Sequence, residues 1–388
     1  MRLFTSLFLV SLALFAVAGE HAIDVFGLRC TEYPASVPNT TTRVFAYNLS
    51  DPTANFIALH FQNFSLPAND FVQIRSIDNP FVAPVRLYGA SHRGKFKAPA
   101  VPTNAVTIEL FTNSSNATMG ACYGFSVNGY DSVIEGGDGN ESICNIDESY
   151  EAACFNDINP LHQLMFLRSY AVTRLVIARN GVLYACTGWL VGCQGHMITN
   201  NHCINDATDA SNTQVEFVAQ AKACPPDVDP LPSQTCMQQL GCPGEIYGGT
   251  PKFVATDYDL DYTLVMLDPS VVTRYGSLKM RVRGPQLEEP IYTITHPRAW
   301  GKRMEYKKDG QLAIVINMTD YEAVYRLDTQ KMSSGSPILS LKDHTVVALH
   351  HVGDNCPNYG VRIDLIVKNM KAQGVLPDCA TVDYSSDI

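Results

Sequence analysis

Short runs in which apolar and polar residues alternate recur along the chain, and Pro, Asn, Asp and Gly separate them. Between residues 21 and 130 these runs fall at residues 43–47, 56–61, 71–74, 106–111 and 123–127. None has the period of a helix of useful length, whereas alternation with period two is typical of half-buried strands. The pattern predicts a β-sandwich domain over residues 19–131.

A glycine-rich run follows and predicts a flexible, protease-accessible linker over residues 132–141. The β pattern then resumes over residues 142–388, where Asn180-Gly181 between two apolar runs is a strong hairpin signal. A short helix is expected near residues 368–372. About 245 residues of β structure that close with a helix predict a double β-barrel. The predicted fold class is therefore all-β, a β-sandwich followed by a double β-barrel.

The N-terminal segment and the composition of the chain indicate secretion. A charged start and an apolar stretch over residues 3–17 precede the small-x-small site Ala16-Val17-Ala18, which predicts a secretory signal peptide over residues 1–18. No later apolar run is long enough to span a bilayer. Only 17% of residues are charged and the net charge is −10, which argues against nucleic acid or an anionic membrane as a partner. We expect a secreted, extracellular protein.

The twelve cysteines agree with that compartment. None forms a CxxC or a Cys/His zinc spacing, so disulfides are expected, and neither a metal ion nor a cofactor is predicted. Cys30 and Cys122 are the only cysteines of the first domain and could tie its two ends together. N-glycosylation sequons predict a glycoprotein; they begin at Asn39, Asn48, Asn63, Asn113, Asn116, Asn140 and Asn317.

Residues 328–337 carry the candidate nucleophile. Ser334 lies between small residues, at a tight turn between two predicted strands, and Gly335 lets the backbone turn closely enough for hydroxyl and amide groups to face one point. A serine nucleophile needs a base, and the base needs an acid that orients it.

His202 and Asp261 are the candidates for these two roles. His202 follows a strand, a turn and a second strand, and Cys186 and Cys203 bracket that hairpin, so that a bridge between them would fix the loop. Asp261 directly precedes an apolar run, where a carboxylate can be buried and still accept a bond from a histidine. Asp259 is the competing aspartate.

The order His202, Asp261, Ser334, together with residues 199–203, 260–264 and 334–337, resembles the chymotrypsin-fold serine proteases. Within that fold, residues 142–368 resemble the lysyl- and glutamyl-endopeptidase group. The residues that carry this second resemblance are Asp147, Cys154, 186–188, His296-Pro297, Gly301 and 333–337. The first domain loosely resembles a CUB domain over residues 57–61, 70–74, 88–89 and 107–111, ending at residues 124–127.

The resemblance implies disulfides and a mechanism. Cys186 would pair with Cys203, Cys144 with Cys356, and Cys154 with one of Cys224, Cys236 or Cys242, while the pairing of Cys193 and Cys379 is open. His202 would take the proton of Ser334 Oγ, Asp261 would hold the imidazole tautomer, and an acyl-enzyme would form. The oxyanion hole would consist of the N–H groups of Ser334 and Met332. Relatives prefer glycine where Met332 stands, which puts full activity in doubt.

Substrate preference is open at this stage. Asp328 occupies the place that selects Lys or Arg in trypsin-like enzymes, whereas Thr329 and His350 would instead receive an acidic side chain. Ser333 stands where trypsin-like enzymes keep an aspartate, so activation by insertion of a new N-terminus is not expected.

The sequence predicts a secreted serine endopeptidase that acts on proteins or peptides. Its first domain would be a pro- or targeting domain, cut at the linker, that binds a protein or a glycan. The alternatives are a secreted binding or inhibitor-like protein on a protease fold, and a non-proteolytic esterase.

Overall fold

The computed structural model describes residues 20–29, 33, 41–80, 82, 84–112, 122–132, 134–135, 141–180, 182–224 and 236–383. Several expectations from the sequence lie outside these residues. They concern the signal peptide over residues 1–18, the glycine-rich run at residues 136–139, and Cys30, Asn39, Asn113, Asn116 and Asn140.

The first part of the chain consists of two antiparallel sheets. Its strands are β1 (Glu20–Leu28), β2 (Thr42–Ser50), β3 (Ala58–Ser65), β4 (Phe71–Ser76), β5 (Val85–Tyr88), β6 (Gly94–Lys97), β7 (Ala105–Thr112) and β8 (Gly124–Asp131). They are ordered β1-β8-β3-β6 in one four-stranded sheet and β2-β7-β4-β5 in the other. Each of the five predicted strands is present.

The core of this part lies between the two sheets. Phe61 and Val127 from one sheet and Ile74 and Ile108 from the other belong to one cluster of fully buried side chains. Complete burial of such a side chain contributes about 1.5–3 kcal/mol. The alternation seen in the sequence therefore buries one face of each sheet against the other, which is the arrangement of a β-sandwich.

Within the described residues, the rest of the chain forms further strands and four α-helices. In chain order they are β9 (Ile134–Glu135), β10 (Tyr150–Glu151), α1 (Pro160–Ser169), β11 (Val172–Arg179), β12 (Val182–Val191), β13 (His196–Thr199), α2 (Ala207–Ser211), β14 (Thr213–Phe217), β15 (Glu245–Ile246), β16 (Lys252–Asp257), β17 (Tyr262–Met266), α3 (Ser270–Tyr275), β18 (Met280–Arg281), β19 (Ile291–Thr295), β20 (Arg303–Glu305), β21 (Lys307–Lys308), β22 (Gln311–Leu312), β23 (Val315–Met318), β24 (Glu322–Tyr325), β25 (Pro337–Ser340), β26 (Val346–Gly353), β27 (Asn358–Arg362), α4 (Ile363–Gln373) and β28 (Thr381–Val382). Short 3₁₀ helices lie at Ala152–Phe155 and Pro297–Ala299.

Two large sheets organise these elements. The first is ordered β15-β14-β11-β12-β13-β17-β16, and the second β10-β20-β19-β25-β26-β27-β24-β23, with β18 and β28 beside it. The predicted hairpin is present, because β11 and β12 pair up to Arg179 opposite Val182, and Asn180 turns with a φ of 51°. The all-β fold class is confirmed.

The helices are few and differ from the sequence expectation. Helix α1 was not predicted, although the Asn159 side chain caps it by accepting a hydrogen bond from Leu161 N–H and Pro160 starts it. The expected helix near residues 368–372 is present as the longer α4 and ends at Gly374, whose φ is 70°. Among the described residues, no helix is long and apolar enough to cross a membrane.

Part of the expected linker is built into the second part of the chain. Strand β9 pairs in parallel with β12, with Ile134 opposite Leu183. The Gln239 side chain donates to Ile134 O at 2.8 Å and accepts from Ile134 N–H at 3.2 Å. The buried Ile134 belongs to a cluster that also contains Phe56 of the first part and Val176 of the second. The two parts therefore share a small apolar contact.

Candidate active site

His202 and Asp261 are brought together by adjacent strands. Strand β13 ends at Thr199, which lies opposite Thr263 of β17, so the loop after β13 and the turn before β17 meet at one edge of the sheet. Asp261 sits in that turn with a φ of 42°. The disulfide between Cys186 and Cys203 fixes the loop directly beside His202.

The Asp261 carboxylate binds His202 through both oxygens. Oδ1 accepts the His202 backbone N–H at 3.0 Å, and Oδ2 lies 2.8 Å from His202 Nδ1. Burial would raise the pKa of Asp261, but the hydrogen bonds from His202 and His351 outweigh it and lower the pKa to about 2. Asp261 is therefore ionised at neutral pH, and its bond to Nδ1 leaves Nε2 of His202 to face the cavity. Asp259, the competing aspartate, is exposed.

Ser334 comes from the second sheet, in the turn before β25. Its carbonyl accepts the Thr187 N–H of β12 at 2.9 Å, which ties the turn to the first sheet. Gly335 has a φ of 90°, and a Cβ placed there would lie 2.1 Å from the Thr187 carbonyl oxygen, so only glycine fits. Ser334, His202 and Asp261 line one cavity of about 380 Å³ at the seam between the two sheets.

The sequence did not indicate Glu141, which occupies this cavity. Its side chain is 1% exposed. Ser334 Oγ donates to Glu141 Oε1 at 2.8 Å, and the Ser333 N–H donates to Oε2 at 3.2 Å. Burial raises the pKa of Glu141 to about 8, and the bonds from Ser334 and Ser333 oppose that rise. Within the described chain, the hydrogen bonds of Ser334 Oγ include none to His202.

Met332 adopts the backbone conformation for which glycine is the usual residue. Its φ is 78°, in the left-handed region that costs a side-chain-bearing residue roughly 1–2 kcal/mol. The side chain is 7% exposed and packs in the cluster that contains Ala299 and Leu240. Burial of the thioether therefore offsets the backbone cost at this position.

Asp328, for which the sequence left open a role in selecting Lys or Arg, is engaged in a buried network. Its two oxygens lie 2.7 and 2.6 Å from Lys308 Nζ, and they also accept the backbone N–H groups of Cys144 and Glu148. An aspartate whose charge is already balanced by a buried lysine is not available to a basic substrate side chain. Asp328 instead ties β21 to the segment around Cys144.

Thr329 and His350 lie on the Glu141 side of the site. The Thr329 N–H donates to Ser142 O at 3.1 Å, directly after Glu141. His350 is fully buried, its Nδ1 lies 2.7 Å from the Tyr325 hydroxyl, and its Nε2 lies 3.8 Å from Glu141 Oε1. Neither Thr329 Oγ1 nor His350 Nε2 has a hydrogen-bond partner in the described part of the chain.

Charge at His350 is set by its surroundings. Burial, with His351 and His202 nearby, lowers the pKa of His350 to about 3, so the imidazole is neutral at physiological pH. Nδ1 is bonded to the Tyr325 hydroxyl, so Nε2 is the ring nitrogen that lies near the Glu141 carboxyl group.

Disulfides hold the segments around the site. The described pairs are Cys144–Cys356, Cys154–Cys224, Cys186–Cys203, Cys193–Cys379 and Cys236–Cys242. Cys186, His202 and Cys203 lie close enough to suggest a metal site, but the two sulfur atoms are bonded to each other and are not thiolate ligands. The described sequon residues Asn48, Asn63 and Asn317 are exposed.

Comparison with known proteins identifies a peptidase domain within this chain. Residues 186–349 match the family model of the trypsin-like peptidase domain. The serine endoprotease from Yersinia pestis is 14% identical with a TM-score of 0.41, over 56% of this chain and 67% of that one. A Glu endopeptidase, in a structure with MPD, is 15% identical with a TM-score of 0.39, over 60% of this chain and 99% of that one.

A relative that matches most of this chain shows the family to which the chain belongs. Secreted RxLR effector protein 73 of Plasmopara viticola is 39% identical over 379 residues, which span 93% of this chain and 91% of that protein. The chain belongs to the family of this effector protein, and it carries a trypsin-like peptidase domain.

Proposed function

We propose that this protein is a secreted serine endopeptidase, in which His202 is the base, Asp261 orients it and Ser334 is the nucleophile. The observation that carries the proposal is the double contact of Asp261 with His202 in the cavity that Ser334 also lines. That contact presents Nε2 to the cavity as the proton acceptor, and the disulfide beside His202 keeps the ring in place.

The reaction would follow from this arrangement. His202 Nε2 takes the proton of Ser334 Oγ as that oxygen attacks the peptide carbonyl, and it returns the proton to the leaving amine. The N–H groups of Met332 and Ser334 stabilise the oxyanion, and water then hydrolyses the acyl-enzyme. The left-handed conformation of Met332 supports this role, because it is the backbone conformation that glycine would supply.

We further propose that the substrate residue before the cleaved bond is acidic. A carboxyl group from the chain itself, that of Glu141, already contacts Ser334 and lies close to the unpartnered His350 Nε2. Asp328, which occupies the place that selects Lys or Arg in trypsin-like enzymes, is bound to Lys308. This preference agrees with the resemblance of residues 142–368 to the glutamyl endopeptidases.

The location and the domain assignment are proposals of the same kind. The signal peptide that the sequence predicts at residues 1–18, the described disulfides and the word "Secreted" in the name of the relative support export. The sequons support glycosylation. We assign residues 19–131 to a sandwich domain of CUB-like lineage that binds a protein or a glycan, 132–141 to a linker, and 142–388 to the protease domain.

One observation favours a second function, that of a binding protein without catalysis. Ser334 Oγ donates to Glu141 and not to His202 in the described structure, so the nucleophile is not paired with its base. Labelling of the purified full chain with a fluorophosphonate, with Ser334→Ala as control, separates the two functions. Labelling that disappears in Ser334→Ala supports the enzyme, whereas a folded chain that stays unlabelled, also after Glu141→Ala, supports the binding protein.

Substrate preference has its own test. A peptide library is expected to be cut after Glu or Asp, and His350→Val is expected to lower kcat/KM for the acidic peptides. His196→Gln, which changes another histidine of low exposure on β13, is the matched control. Cleavage after Lys or Arg would refute the acidic preference and leave the endopeptidase proposal intact.

A further inference from the structure

Strand β26 contains an irregularity directly beside the site. His350 lies opposite Gly360 and Val352 opposite Tyr359, so that His351 is an extra residue with no partner on β27. Such a bulge re-aims a side chain relative to the regular alternation of the strand. Neighbouring side chains of a regular strand point to opposite faces. Because of the bulge, the consecutive residues His350 and His351 can both lie at the same site.

The re-aimed side chain connects two carboxylates. His351 Nε2 lies 2.9 Å from Glu322 Oε1, and Nδ1 lies 3.5 Å from Asp261 Oδ2. The same Asp261 oxygen is 2.8 Å from His202 Nδ1. Glu322, His351, Asp261 and His202 therefore form a continuous row from strand β24 to the proposed base.

The charges around His351 favour its protonated form. Asp261 faces it from the turn before β17 and Glu322 from β24, while His350 on its own strand is neutral. Burial lowers the pKa of His351, but the two carboxylates outweigh this effect and raise the pKa to about 9. At neutral pH, His202 thus contacts the Asp261 carboxylate, which in turn contacts the His351 imidazolium.

We propose that His351 is a positioning residue for the reaction, which holds the Asp261 oxygen that His202 also contacts and is itself held by Glu322. The inference rests on the proposed function. The contact with His351 fixes the rotamer of the Asp261 side chain. The positive charge of the His351 imidazolium also offsets part of the negative charge of Asp261, which would otherwise favour protonated His202. Protonated His202 would be unable to accept the serine proton.

The test compares His351→Gln, Glu322→Gln and the double variant with wild type, and His344→Gln, a half-buried histidine bonded to Tyr292, is the matched control. His351→Gln is expected to lower kcat about tenfold with little change in KM. It is also expected to move the acidic limb of the pH–rate profile upward by roughly half to one pH unit. Because the two residues act in one row, the double variant should be no worse than His351→Gln alone.

A second measurement separates this inference from the proposed function. In the full chain, the imidazole N–H resonance of His202 reports the bond to Asp261 whether or not Ser334 reacts. A shifted or lost resonance in His351→Gln, but not in His344→Gln, supports the positioning role even in an inert protein. An unchanged resonance, or a kcat loss without movement of the acidic limb, would overturn it.

Discussion

Removal of the Glu141 side chain should make the Ser334 hydroxyl accessible to substrates and to active-site labels. The Glu141 carboxyl group accepts hydrogen bonds from the hydroxyl of Ser334 and the N–H of Ser333, so a substrate must displace it before the serine can turn to His202. Glu141→Ala leaves the cavity open. We expect faster reaction of this variant with a fluorophosphonate and with peptides than of wild type.

The size of the effect follows from the contacts. Two hydrogen bonds, each worth about 0.5–1.5 kcal/mol net, make roughly 1–3 kcal/mol. This range corresponds to roughly a 5- to 150-fold increase in the labelling rate constant. The cost of burying the carboxyl places the result toward the lower end of the range at alkaline pH.

The pH dependence has a definite sign. A carboxyl whose pKa rises on burial, here from 4.5 to about 8, is most favourable in its buried place at low pH. That advantage is fully present below about pH 4.5 and is lost as pH rises to about 8. Glu141→Gln keeps the shape and the acceptor but does not titrate, so the wild-type rate should climb relative to this variant across that window.

The assay is stopped-time labelling of the full chain followed by electrophoresis, with Ser334→Ala as the blank and Asp320→Ala, an exposed carboxylate, as the control. Equal labelling rates for wild type and Glu141→Ala would show that the carboxylate does not block the serine. A slower rate in Glu141→Ala would assign Glu141 a positive role in the reaction.

The remaining predictions concern residues that shape the site. Asp328→Asn should cost up to roughly 3–5 kcal/mol of stability, measured by denaturant unfolding, because it removes the nearer of two carboxylates at buried Lys308 and leaves only Glu148 Oε2 at 3.6 Å; a changed preference for the substrate side chain would show that Asp328 does contact substrate. Gly335→Ala should destabilise the chain by more than about 2 kcal/mol and abolish labelling, since its Cβ would lie 2.1 Å from the Thr187 carbonyl oxygen, and a labelled, stable variant would contradict this. Met332→Gly should lower the melting temperature, because the lost side-chain burial exceeds the backbone cost of roughly 1–2 kcal/mol, while labelling continues; a rise in the melting temperature would contradict that balance.

The sequence predicted those strands and turns that depend mainly on the residues within them. Alternation located the strands that contain Phe61 and Ile108, and the Asn180-Gly181 turn predicted the β11–β12 hairpin. Helix α1 was missed although its Asn-Pro start was a readable signal. His202 and Asp261 lie at the ends of two strands that pair directly. Their contact could therefore also be predicted from the sequence.

Other features depend on contacts between distant segments. Asp328 meets Lys308 only because β21 folds back beside the segment at Cys144, and no local pattern distinguishes an engaged aspartate from a free one. Glu141 follows a glycine-rich run and reads as a solvated linker residue, yet it is buried against Ser334. The orientation of His351 depends on a bulge that is visible only once β26 and β27 are paired.

The apolar contact between the two parts of the chain bears on what proteolysis at the joint would produce. Phe56, Ala58 and Ala100 of the first part cluster with Val176 and Leu183 of the second. Strand β9 lies on the N-terminal side of residues 136–140 and is hydrogen-bonded into the sheet of the second part. A nick within residues 136–140 would therefore convert one polypeptide into a heterodimer whose fragments separate on a denaturing gel and migrate together on a native one.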